Sequence, residues 1–253
     1  MIFSRFQRLR HCWLLLVTAV LLGCHEQAQQ LSTHEKIFVR GRKFIYAAAH
    51  FTPDGRLLGC DTVAITCLGK YKPGQYDTTQ FKIGYSYGAT SAPSSFPGVL
   101  ENDSMLWSHP PRDGQYRILE LSPFPYIKLP AHQGQRWKWE LGVGGQWGDK
   151  QWATWRGDML VTSSYAVTGQ QLLATPLGKL PCWVVQAEAT CKKGTAALTS
   201  FYNPRYGFVR LAYRNLNDRR VTLNLVAVTT VETLLPDEFL PKGFQGLGPS
   251  AQH

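Results

Sequence analysis

The sequence is short of ready-made catalytic parts. It holds no H-E-x-x-H pair, no G-x-G-x-x-G turn and no Walker loop, so zincin chemistry and nucleotide binding through those loops lack support. A serine hydrolase carrying its nucleophile on a strand-to-helix elbow is unsupported as well. Cysteine never occurs as C-x-x-C, and no two of His25, His34, His50, His109, His132 and His253 lie within four residues of each other. That spacing argues against a metal site, and no cofactor is expected. No apolar run after residue 22 reaches the ~20 residues needed to span a bilayer core. Basic residues outnumber acidic ones, 27 to 17, but they are scattered. The tightest pairs, Lys192-Lys193 and Arg219-Arg220, fall where turns are expected, so they read as a solvated face and not as a nucleic-acid site.

What is present begins at the N-terminus. Arg5, Arg8 and Arg10 precede an apolar run from Trp13 to Leu22, and Gly23-Cys24 follows. This order is that of a secretory signal, 1–23. Leu21-Leu22-Gly23-Cys24 resembles the lipobox of bacterial lipoproteins, which implies cleavage before Cys24 and acylation of that cysteine. The mature chain would then hold to the membrane by lipid alone, stably if two or more acyl chains are attached. His25, in place of the Asp that retains such lipoproteins at the inner membrane, points to the outer membrane, with the protein facing the periplasm or the cell surface. Loss of the signal lowers the formal charge from +10 to +7.

Residues 24–36 are polar and aperiodic, and read as a flexible tether. In an oxidising compartment Cys60, Cys67, Cys182 and Cys191 are candidate disulfide cysteines. Three connectivities are possible. Local pairs would need a turn where 62–66 and 183–185 read as strand, because extended partners would sit ~20–30 Å apart. Chain geometry therefore favours bridges joining the N-terminal to the C-terminal segment.

The rest reads as β structure with turns every 8–12 residues. Phe44–Phe51 and Leu57–Leu68 form a hairpin about Pro53-Asp54-Gly55, and Phe81–Tyr87 is a further strand. Residues 88–114, rich in Gly, Pro and Ser, read as a long loop or boundary, closing an N-terminal β segment of 37–114. A C-terminal β domain of 115–235 follows. In it Tyr116–Leu121 alternates like a strand, and Trp137, Trp139 and Leu141 share one face of the next. Gly142–Gly145 reads as a hairpin turn. Strands are expected at 158–168, 180–190, 196–202, 208–214 and 221–232. The tail, 236–253, reads as disordered.

Four pieces carry a resemblance: Leu129-Pro130, Gly134-Gln135-Arg136-Trp137, Gly178 to Val185, and Phe201-Tyr202-Asn203-Pro204-Arg205-Tyr206-Gly207-Phe208-Val209-Arg210. Over about 123–231 the chain resembles a family of uncharacterised bacterial exported proteins and lipoproteins. Phe201 departs from that family's usual Trp, and Leu180-Pro181-Cys182 from its Ala-Gly-Thr-Phe. The resemblance implies a mainly β fold, an antiparallel meander curled into an open half-barrel in the manner of periplasmic lipoprotein carriers. It implies no activity and carries over no catalytic residue. In the last piece Tyr202, Pro204 and Gly207 read as a structural turn.

Binding chemistry is concentrated in aromatics. Trp137, Trp139, Trp147, Trp152 and Trp155 fall within twenty residues; they suit either stacking on a ligand or filling the barrel. The expected function is that of a non-enzymatic, lipid-anchored envelope protein that binds an apolar or amphipathic ligand, a glycan, or a partner protein. Two alternatives stand beside it. One is an envelope hydrolase using His109 with Asp103 and Asp113 in the 88–114 loop; the other is a purely structural lipoprotein.

Overall fold

A computed structural model describes residues 36–71, 79–88 and 92–231. The signal segment, Cys24, nearly all of the tether and the tail lie outside the described residues. Twelve strands form one antiparallel sheet: β1 (Arg42–Phe51), β2 (Leu57–Lys70), β3 (Phe81–Tyr87), β4 (Gly98–Glu101), β5 (Met105–Ser108), β6 (Tyr126–Lys128), β7 (Arg136–Gly144), β8 (Asp158–Thr175), β9 (Gly178–Cys191), β10 (Gly194–Asn203), β11 (Gly207–Arg214) and β12 (Arg220–Thr230). Their spatial order is 6-5-4-3-2-1-12-11-10-9-8-7. Two meanders thus run outward from a central pair, β1 and β12, and the segments on either side of residue 114 share one hydrogen-bonded sheet.

The chain passes directly from one edge strand, β6, to the other, β7. The sheet is curled so that these edges face each other: Tyr126 of β6 lies 5.3 Å from Trp137 of β7, ring to ring. No ladder joins them, so the result is an open half-barrel. Bulges bend the strands. One lies between Val167 and Gly169 of β8, where Gly169 takes φ +149°, a conformation that favours glycine. Burial alternates as a half-buried sheet requires. In β8, Met159, Val161, Ser163, Tyr165 and Val167 are buried and their neighbours are not.

Three local readings are corrected. Residues 88–114 are not one loop, because they contain β4 and β5. Gly142-Val143-Gly144 continues β7, with Val143 buried. Tyr116–Leu121 belongs to a 3-10 helix, Gly114–Leu121, and not to a strand. Its buried residues Tyr116, Ile118, Leu119 and Leu121 include two pairs spaced by two, which over so short a segment imitates the alternation of a strand. With the residues flanking it, from His109 to Phe124, this segment packs on the concave side of the sheet and plugs it. Sheet tyrosines hold its backbone: Tyr85 donates to the carbonyl of His109 at 2.8 Å, Tyr165 to that of Phe124 at 3.2 Å, and the Tyr87 hydroxyl accepts from the Arg112 amide at 3.0 Å. Irregular buried backbone needs such partners.

The expected disulfides are absent: all four cysteines are free. Cys60 and Cys67 lie on one strand, as do Cys182 and Cys191, so no turn brings either pair together. β2 and β9 are five strand steps apart, ~24 Å along the sheet at ~4.8 Å per step. Cys67 and Cys182 are buried, and burial pushes their thiols up to about 12 and about 11.

Candidate functional site

The concave interior is filled by the protein itself. Tyr85, Tyr116, Phe124 and Tyr202 are among its fully buried side chains. An apolar cavity beside Phe44, Tyr46, Tyr85 and Phe208 measures only about 20 Å³, room for a water and not for an acyl chain. Within the plug, Glu120 is 3% exposed and ion-pairs with Arg112 at 2.7 Å. Burial raises its carboxyl above the ordinary value and Arg112 opposes the rise. Arg112 also lies 4.7 Å over the ring of Trp147.

The hydrolase candidates do not converge. His109 packs against Phe124 at 4.9 Å and its Nδ1 lies 3.3 Å from Arg112 Nη2. Burial, helped by Arg112, holds its pKa well below 6.5. Asp103 is exposed in the β4–β5 turn, and Asp113 accepts from Ser94. Neither carboxylate bonds to His109. Another pentapeptide, Gly84-Tyr85-Ser86-Tyr87-Gly88, has the G-x-S-x-G spacing without the elbow. It runs along β3 into the turn at Gly88, with Ser86 only 2% exposed.

The tryptophans divide between two places. Trp137, 7% exposed, stacks on Tyr165 at 5.1 Å, and Trp139 meets Trp107 and Phe124 at 5.5 and 5.1 Å. Both belong to the seam between the sheet edges. Trp147, Trp152 and Trp155 pack on a smaller cluster formed by Leu121, Val143, Met159, Val161 and Ala189. There Trp155 donates to Val143 O at 2.9 Å and Trp152 to Trp147 O at 3.3 Å. Tyr202 is buried, and the Asn203 Oδ1 accepts from the Arg205 and Tyr206 amides at 3.0 and 3.2 Å. Gly207 takes φ +74°, and a Cβ there would come within 3.1 Å of Ile37.

A roomier cleft opens at the rim, where β1, β2, the start of the 3-10 helix, the 148–152 turn and the β11–β12 turn meet. It measures about 220 Å³ and is lined by Trp152 and by polar groups of all these elements. At its floor Tyr116 donates to Asp61 at 2.5 Å, His50 Nε2 lies 3.1 Å from the Tyr116 hydroxyl, and Gln115 donates to Asp61 at 3.0 Å. Burial and the neighbouring Asp61 raise the Tyr116 hydroxyl far above its ordinary value, so it stays protonated as a donor. Cleft members His50, Asp61 and Gln115 escaped the sequence reading. The available signal was Asp61, the one acidic residue of β2.

No protein-family model matches the chain, and no curated protein is similar to it. Solved structures are. An exported protein with YmcC-like fold from Bacteroides fragilis is 12% identical with a TM-score of 0.41, covering 76% of this chain and 97% of that one. A lipoprotein from Parabacteroides distasonis is 11% identical with a TM-score of 0.43, covering 76% and 96%. The hypothetical lipoprotein YmcC from Escherichia coli is 12% identical with a TM-score of 0.36, covering 78% and 90%.

The cleft holds His50, Tyr116, Gln115 and Asp61 in one hydrogen-bonded cluster. Asp61 retains acceptor capacity, since an ionised carboxylate has about four lone-pair sites. Chemically this suits a ligand with hydroxyl groups on one side and an apolar face on the other.

Proposed function

We propose that this chain is a lipid-anchored envelope protein, non-enzymatic, whose small amphipathic ligand sits in the rim cleft and not inside the half-barrel. The carrying observation is the contrast in space: a filled interior against a rim cleft lined by Trp152 and the Asp61–Gln115–His50 group. The cleft is smaller than the ~300–1,000 Å³ typical of drug-sized ligand sites, which favours a single ring over an acyl chain. Cys24 supplies the anchor, and the outer membrane is its expected station. Cell fractionation checks the location; recovery with the inner membrane sinks that assignment.

Native mass spectrometry of the freshly purified mature protein tests the site. The expected spectrum carries an added mass that disappears on denaturation and is missing from Trp152→Ala. A bare protein mass, or an added mass retained by Trp152→Ala, counts against the cleft.

A further inference from the structure

We infer that the rim cleft takes an acidic sugar, a hydroxylated ring bearing a carboxylate; this rests on the cleft being the binding site. Three observations carry the class. First, the cleft is cationic. Arg219 and Arg220 line it, are exposed, and form no ion pair among the described residues. The nearby Asp218 carboxylate is held by Arg214 at 2.9 Å. Asp61 is the one carboxylate lining the cleft, so two guanidinium charges face a single negative charge. Guanidinium groups match carboxylates in a two-point geometry.

Second, the remaining polar lining is of the kind that reads hydroxyl groups. Asp61 and Gln115 are held rigid by their mutual bond at 3.0 Å. Asn215 lines the cleft at 3% exposure, and its Oδ1 has no partner among the described residues. Third, Trp152 is fixed in place by its bond to the Trp147 carbonyl. It offers an aromatic surface for the C–H face of a ring. A lipid headgroup would meet the guanidinium groups but leave the indole and the amides unused.

The test is titration of the detergent-solubilised full chain with tetragalacturonate and with neutral maltotetraose, followed by calorimetry and tryptophan fluorescence. The acidic oligosaccharide should bind at least about tenfold more tightly than the neutral one, the worth of one charge-assisted contact. The double variant Arg219→Ala/Arg220→Ala should lose at least about that factor for the acid alone, with unchanged thermal unfolding because both arginines are exposed. Equal affinity for the two sugars, or an undiminished double variant, overturns the acidic class. If neither sugar binds, the inference falls. The cleft itself survives that result only if a co-purified mass is present and is lost in Trp152→Ala.

Discussion

The seam and the rim cleft are both lined with aromatics, yet they differ in what the aromatics touch. At the seam, Trp137, Tyr126 and Tyr165 touch one another, with ring centroids 5.1–5.4 Å apart. At the rim, Trp152 borders an open cleft whose walls mix polar and apolar groups. An aromatic cluster in a sequence is therefore ambiguous until its neighbours are known. The same indole closes a core in one place and lines a cleft in another.

The largest expected effect breaks the seam. Trp137→Ala removes a buried indole where the sheet edges meet, and should cost about 3–5 kcal/mol in chemical denaturation. Unfolding at the parent's midpoint would show that the seam does not hold the edges. Next comes the plug. Arg112→Met strands the buried Glu120 carboxylate and should cost about 3 kcal/mol, with part of the loss recovered in Arg112→Met/Glu120→Leu. No recovery would mean that Arg112 acts through Trp147 and not through Glu120.

A smaller effect follows from His109. Its folded pKa lies well below 6.5, so the unfolded chain binds more protons as the pH falls past that value. Stability should therefore decline on the acid side of pH 6.5, and His109→Gln should flatten that part of the curve in pH-dependent thermal melts. An unchanged slope would place the acid sensitivity elsewhere. Smallest of all, Cys60→Ser should shift stability by no more than about 0.5 kcal/mol. On the folded protein, iodoacetamide should modify exposed Cys60 while sparing Cys67 and Cys182. Modification of all three at equal rates would contradict their burial.

Much of the sheet was legible in the sequence because its strands alternate and their turns carry strong chemistry. Trp137 and Val143 point inward from β7 while Lys138 and Glu140 point out, and Pro53-Asp54-Gly55 sits in the β1–β2 turn. The plug was misread because its helix is short and its apolar pairs Tyr116/Ile118 and Leu119/Leu121 are spaced by two, like those of a strand. The cleft was illegible for another reason. His50, Asp61 and Gln115 are separated by up to 65 residues, and none stands in a motif.

By itself the sequence determined the β class, the meander and the lack of known catalytic motifs, because period, turn residues and spacing are local properties. Tertiary structure alone decided that the cysteines stay apart, that the half-barrel is filled by its own chain, and that a cleft forms where five distant segments meet. These are long-range matters, fixed by how the curled sheet brings its edges and rim together.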